Sequence, residues 1–273
     1  MNQMTLETIP LGPRTGTEMI ADRDALLSGA HTAQIRDVLE QRGVVLFRRM
    51  NLDDRQQVAF ARTLGDVVDL GVDNIYKVTL DKRITATADY LLGTFLWHID
   101  GTTDEIPTRA SLLSARVLSE TGGETQWANT YAAYDDLPQD EKDAIEDLRV
   151  VHKIETIERA ARDNFTEEDV AGWRTRAVRS HPLVWTHASG RKSLVLGATA
   201  TYVDGMDADE SRALLDRLME WSTQPQFVYQ HEWQVGDLVI WDNTGTMHRV
   251  VPYSAESGRL MHRTTLVGEE VLA

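Results

Sequence analysis

The chain has 273 residues, 42% hydrophobic and 26% charged, ordinary values for a globular protein, and its net charge of −15 without any Lys/Arg run argues against a nucleic-acid partner. Cysteine is absent, which excludes disulfides, thiolate metal sites and cysteine nucleophiles and leaves His, Asp and Glu as candidate ligands. No stretch approaches the ~18 apolar residues of a membrane span, and MNQMTLETIPLG carries no targeting pattern, so no membrane association is expected and the cytoplasm is the expected location.

In chain order, TAQIRDVLEQRG predicts a helix with Ile35, Val38 and Leu39 on one face and Gly43 as its stop. VVLFR follows as a buried strand, and DDRQQVAFARTLG as a second helix opened by aspartates and closed by Gly65. LPQDEKDAIEDLR predicts a third helix, with Pro138 near its first turn, where a missing N–H does no harm. Segment 153–178 is polar and only partly helical in pattern; it reads as an insertion, either a lid or a solvated surface helix. PLVWTHASGRKSLVLG reads as a hairpin turning at Ser189-Gly190. DADESRALLDRLMEW is a fourth helix, with Leu214, Leu215 and Leu218 inward. QFVYQHEWQVGDLVIWDN reads as two strands turning at Val235-Gly236-Asp237, and GRLMHRTTLVG as a final strand. Short strands dominate the second half and helices the start and connections. The expected fold is therefore mainly β with flanking helices, a jelly roll or antiparallel barrel. Without repeats or linkers, residues 1–273 read as a single domain.

LLGTFLWHIDGT places His98 and Asp100 two apart after an apolar run. In an extended strand residues i and i+2 share a face, so imidazole and carboxylate would project together. A strand end turning polar would look the same, and two ligands do not close a site. His248, in VIWDNTGTMHRVV, is the third candidate. Two imidazoles and one carboxylate on one face of an ion form the donor set of non-haem Fe(II) oxygenases. Arg259 lies eleven residues beyond His248 and Arg263 four further on. On a strand Arg259, Met261 and Arg263 share one face, Leu260 and His262 the other. Two arginines facing into a small barrel need anions there, and a dicarboxylate cosubstrate beside the iron would be one.

The stretches WHIDGT, GGETQWANTYAAYDDLP, HPLVWTHASGRKSLVLG, VGDLVIWDNTGTMHR and GRLMHRTTLVG resemble the Fe(II)/2-oxoglutarate-dependent dioxygenases of the taurine dioxygenase and aryloxyalkanoate dioxygenase family, in order and spacing, from about residue 30 onward. The resemblance implies a double-stranded β-helix, with His98, Asp100 and His248 as iron ligands. It implies that Arg259 and Thr125 hold the far carboxylate of 2-oxoglutarate, and that Arg263 faces an anionic group of the substrate. It implies oxidative decarboxylation to succinate and CO2 coupled to substrate hydroxylation, with 2-oxoglutarate, O2 and a small molecule as partners; homo-oligomerisation stays open. The carboxylate of Asp100 separates the chain from the related halogenases, which lack it.

Taurine-type members hold the sulfonate partly through a histidine upstream of this motif, and residues 32–97 contain none. LDKRITATADYLLGTFLWH and LGATATYVDGM resemble the aryloxyacetate branch more closely, although Thr199 stands near the place of an expected histidine. Apolar Leu92, Phe95 and Leu96 point to a hydrophobic substrate body, with Phe95 and Leu96 as candidate substrate contacts. Trp97, Trp127 and Trp241 read as packing, with Trp241 a candidate wall of the iron site, and His152, His181, His187, His231 and His262 as structural. A non-catalytic jelly-roll binding protein and a zinc hydrolase using the same His/Asp site are the alternatives; neither accounts for Arg259.

Overall fold

Strict alternation along the central strands divides their side chains between two cores. In Val44–Phe47, Leu238–Asp242 and Ala110–Val117, residues Val45, Phe47, Leu238, Ile240, Ala110 and Leu112 join one apolar cluster. Their neighbours Val44, Leu46, Val239, Trp241, Leu113 and Ala115 join another. The computed structural model, which describes residues 5–71 and 73–272, assembles these strands into a seven-stranded sheet. Its order is Glu7–Pro10, Thr17–Ile20, Val44–Phe47, Leu238–Asp242, Ala110–Val117, Leu260–Thr265 and Tyr76–Val78. It is antiparallel apart from the pairing of Thr17–Ile20 with Val44–Phe47.

The first cluster is closed by helices Thr32–Arg42 and Asp54–Leu64, which contribute Ile35, Leu39, Phe60 and Leu64. The second lies between the large sheet and a small one ordered Val228–His231, Thr125–Asn129, Thr246–Val250, which contributes Trp127 and Tyr229. Each such side chain removed from water contributes roughly 1.5–3 kcal/mol, so the sandwich is held from both faces of its central strands. This is a jelly roll, mainly β with flanking helices. Among the described residues no helix is long and apolar enough to cross a membrane.

Local chemistry explains the helix limits. Thr32–Arg42 ends at Gly43, whose φ of 72° is left-handed and whose N–H bonds the Leu39 carbonyl. A Cβ there would stand 2.5 Å from Thr246 Cγ2, so the stop also lets the helix meet the small sheet. Asp54–Leu64 opens with a reciprocal cap between Asp53 and Gln56. Gln139–Ile145 begins directly after Pro138, and Ala208–Ser222 after a capping Asp207, burying Leu215 and Leu218 with Leu214 packed at the edge.

Three segments differ from expectation. The strands around Val235-Gly236-Asp237 belong to different sheets, Val228–His231 to the small one and Leu238–Asp242 to the large one. The turn, with Gly236 at φ 89°, is a corner between sheets. The apolar run before His98 is not a strand but a 3-10 helix, Ala88–Phe95, packed on helix Ile154–Ala161. Gly93 permits that approach, since a Cβ there would lie 3.2 Å from Ile157 Cδ1. Segment 153–178 is mostly helical, with Ile154–Ala161 followed by Glu167–Arg174, the latter opened by a reciprocal cap between Thr166 and Asp169.

Candidate active site

His98 and His248 face each other as an isolated antiparallel bridge. His98 N–H donates to the His248 carbonyl at 3.0 Å and His248 N–H to the His98 carbonyl at 2.8 Å. Their ring centroids stand 4.1 Å apart. Asp100 completes the group: one carboxylate oxygen lies 3.7 Å from His98 Nε2 and the other 3.8 Å from His248 Nε2. All three donor atoms lie within 4.8 Å of one another. Two ligands each about 2.1 Å from one ion stand at most about 4.2 Å apart, so both distances to Asp100 fit a shared metal.

Protonation suits this use. His98 Nδ1 lies 2.8 Å from the Leu96 carbonyl, a contact only an N–H can make, which leaves Nε2 as the free lone pair. Burial pulls His98 below its usual range and His248 well below it, favouring neutral imidazoles. Burial alone would raise the Asp100 carboxyl, but Arg263, His248 and His98 outweigh it and hold it at about 2. Arg263 Nη1 donates to Asp100 Oδ2 at 3.0 Å.

Asp100 does not reach this position as a strand residue. It sits in a turn whose next residue, Gly101, has φ 80°, and a buried amide fixes the turn. Asn243 Oδ1 accepts the Asp100 N–H at 3.0 Å, while its Nδ2 donates to the Asp100 carbonyl at 2.8 Å and the Thr108 carbonyl at 2.9 Å. Asp242 shapes the turn before His248 by accepting the Thr244 N–H at 2.9 Å. Asn243 instead reaches across to the aspartate loop. Trp241 walls the group, with its ring 4.9 Å from that of His248.

A second feature concerns charge. Arg259 is 1% exposed, and its Nη2 donates to the Gly123 carbonyl at 3.0 Å. Its Nε and Nη1 are buried and have no partner among the described residues. The guanidinium lies 4.7 Å from the centroid of the Tyr253 ring. Gly123, at φ 87°, makes room: a Cβ there would stand 2.9 Å from Arg259 Nε. Two residues on, buried Thr125 accepts a hydrogen bond from Trp233 Nε1 at 3.0 Å. Arg259, Gly123 and Trp233 line a cavity of about 160 Å³. Glu120, Glu124 and Glu232 also line it, and the Glu124 charge acts on Arg259 without forming an ion pair among the described residues; the spare guanidinium donors fit an anionic ligand.

The triad opens onto a cavity of about 430 Å³ lined by His98, Asp100 and Arg263, by Tyr76, Tyr90, Leu91 and Ile157, and by Glu158 and Arg176. Arg263 lies 5.1 Å from the centroid of Tyr76, and its Nε is buried without a partner among the described residues. Phe95 and Leu96 are not in this wall. The 3-10 helix turns Leu91, Gly93 and Thr94 toward the cavity instead, while Phe95 packs edge-on against Tyr253 at 5.7 Å and the Leu96 carbonyl receives His98 Nδ1. Ile157, Glu158 and Arg176 come from the insertion, whose polar pattern alone did not mark them.

The other histidines stay outside the triad. His152 Nδ1 bonds Thr199 Oγ1 at 2.9 Å, His181 Nε2 donates to the Thr102 carbonyl at 3.0 Å, and His262 Nδ1 meets Asp54 at 2.7 Å. His187 Nε2 bonds Ser193 Oγ at 2.8 Å, and His231 Nε2 donates to Asp237 at 3.1 Å.

Known proteins are similar to this chain along most of its length. The family described as taurine catabolism dioxygenase TauD, TfdA family matches residues 7–265. The chain is 37% identical to an alpha-ketoglutarate-dependent 2,4-dichlorophenoxyacetate dioxygenase of Burkholderia sp. (strain RASC), over 90% of this chain and 90% of the relative. It is 33% identical to an alkylsulfatase of Acinetobacter baylyi, over 86% of this chain and 76% of the relative. The crystal structure of AAD-2 in complex with Mn(II) and N-oxalylglycine superposes with a TM-score of 0.85 at 34% identity, covering 99% of this chain and 100% of that one. Jelly roll, converging triad and end-to-end match agree, and the chain belongs to the TauD/TfdA family of dioxygenases.

Proposed function

We propose that the chain is an Fe(II)- and 2-oxoglutarate-dependent dioxygenase that hydroxylates a C–H bond of a small organic anion with an apolar body. One observation carries the reading: a neutral His98, an ionised Asp100 and a neutral His248 converge in a jelly roll that also buries Arg259 with two nitrogens lacking a hydrogen-bond partner among the described residues. Iron and 2-oxoglutarate, when bound, supply the oxidising chemistry: one oxygen atom of O2 enters the substrate C–H bond, the other enters succinate, and CO2 leaves.

The chain's own residues do the rest. His98, Asp100 and His248 are assigned to the metal, with the Leu96 carbonyl fixing the His98 tautomer. Arg259 and Thr125 are assigned to the far carboxylate of the cosubstrate. Arg263, already a donor to Asp100 and holding a spare Nε, is assigned to the anionic group of the substrate. Tyr76, Tyr90, Leu91 and Ile157 would surround the apolar body and thin the water near the reacting bond. The relatives' names support this class, since a dichlorophenoxyacetate and an alkyl sulfate are both organic anions with apolar bodies. A zinc hydrolase or a storage protein would leave Arg259 buried without an anion.

Anaerobic addition of Fe(II) and 2-oxoglutarate tests the reading. The pair should give a weak visible charge-transfer band that an aryloxyalkanoate or alkyl sulfate perturbs, followed by succinate once air is admitted. A featureless spectrum overturns it.

A further inference from the structure

We infer that Trp233 is a positioning residue for the cosubstrate: its indole N–H occupies the Thr125 hydroxyl as an acceptor and so turns the hydroxyl proton toward the anion beside Arg259. The inference rests on the reading of Arg259 and Thr125 as the grip on that anion.

The hydrogen-bond inventory at Thr125 carries it. An indole N–H can only donate, whereas a threonine hydroxyl donates once and accepts twice. At 3.0 Å from Trp233 Nε1, Thr125 Oγ1 is therefore the acceptor. Thr125 is 1% exposed, and among the described residues no acceptor receives its own proton. A buried donor left unsatisfied is costly, and here it stands two residues from Gly123, whose carbonyl binds Arg259. Arg259 has two buried N–H-bearing nitrogens in the same unsatisfied condition. Donors without acceptors on both residues fit an anion, beside a buried Glu124 Oε2 that also lacks a partner among the described residues. Trp233 lines the cavity that holds Arg259 and is held from behind, T-shaped against His231 at 4.6 Å and tilted against Trp127 at 6.4 Å. Its bond to the hydroxyl blocks the rotor from pointing its proton back at the indole.

Binding of 2-oxoglutarate to the Zn(II)-loaded protein, followed by titration calorimetry, reads the effect without turnover. Trp233→Phe keeps a ring and removes the N–H; it should weaken 2-oxoglutarate about tenfold and leave Zn(II) affinity unchanged. Thr125→Val should weaken it comparably, and the double variant no more than either single one, because the two side chains act as one unit. Full additivity, or an unchanged affinity in Trp233→Phe, overturns the inference. Should Trp233→Phe fail to fold, NMR of the Zn(II) protein serves instead. The indole N–H of Trp233 should exchange slowly with solvent in the wild type and faster in Thr125→Val; equal rates refute the role. Arg259→Ala separates the two levels. If it still binds 2-oxoglutarate normally, the underlying reading is wrong; if it loses binding while Trp233→Phe does not, only the role of Trp233 falls.

Discussion

Arg259, just before strand Leu260–Thr265, and Arg263, within it, sit four residues apart, yet their surroundings are opposite. Arg263 is partly exposed and ion-paired to Asp100 at 3.0 Å. Arg259 is 1% exposed, with a single hydrogen bond to a carbonyl and no ion pair among the described residues, although Glu124 lines the same cavity. A charge that keeps some water and a partner costs little in the unliganded protein, whereas one that lacks both is tolerated only where a ligand regularly restores the balance. The contrast predicts the larger effect at Arg259. Arg259→Ala should raise the 2-oxoglutarate KM about a hundredfold or more, with the substrate KM nearly unchanged. Arg259→Met should stabilise the ligand-free protein by about 1–4 kcal/mol and abolish the rise in Tm that 2-oxoglutarate gives the wild type. A ligand-free Arg259→Met protein less stable than the wild type would show that the guanidinium has an internal partner after all.

Arg263 should break the other way. Its loss removes a charge-assisted contact worth about 1.5–3 kcal/mol, so Arg263→Ala should raise the KM for anionic substrates about ten- to a hundredfold and leave 2-oxoglutarate within about threefold. If its role were confined to Asp100, metal affinity would fall instead and substrate KM would hold. Asn243 tests the same floor from beneath. It touches no ligand atom of the triad but holds both main-chain polar groups of Asp100. Asn243→Ala should weaken Mn(II) binding about tenfold, measured by titration of the apoprotein, with both KM values little affected at saturating metal.

These three differ in how visible they were before the fold was known. The arginine pair was legible because period-2 alternation survives along Leu260–Thr265. Met261 enters the core between the sheets while His262 turns outward to Asp54, as parity requires. The triad was legible from residue type, since without cysteine few ligand sets exist, and His98 with Asp100 beside a distant His248 is one of them. Its local geometry was not. The i, i+2 argument assumed a strand, but the run before His98 winds as a 3-10 helix because it packs on helix Ile154–Ala161, a contact no local pattern announces. That winding replaces Phe95 and Leu96 with Leu91, Gly93 and Thr94 in the cavity wall. Asn243 and Trp233 were missed for a related reason. Each acts on a residue more than a hundred positions away in the chain, and neither carries a metal-binding or acidic side chain to draw attention.

Not every unpartnered buried nitrogen awaits a ligand, and His152 sets the limit of the comparison with Arg259. Its Nε2 is buried without a partner among the described residues, but an imidazole can meet burial by staying neutral, which a guanidinium cannot. Burial and the nearby His181 pull its pKa from 6.5 to about 3. The sign of the linkage follows. Above about pH 6.5 the ring is neutral in folded and unfolded chains alike and contributes no pH dependence. As pH falls from there toward 3, the unfolded chain takes up a proton that the folded one refuses, so stability drops by up to about 1.4 kcal/mol for each pH unit. His152→Gln loses that term while keeping a polar side chain for Thr199. Its Tm should therefore lie below the wild type's at pH 7.5 and close on it at pH 5. A gap that stays constant across this range would mean that His152 titrates alike in both states, and that its orphan nitrogen has found a proton acceptor.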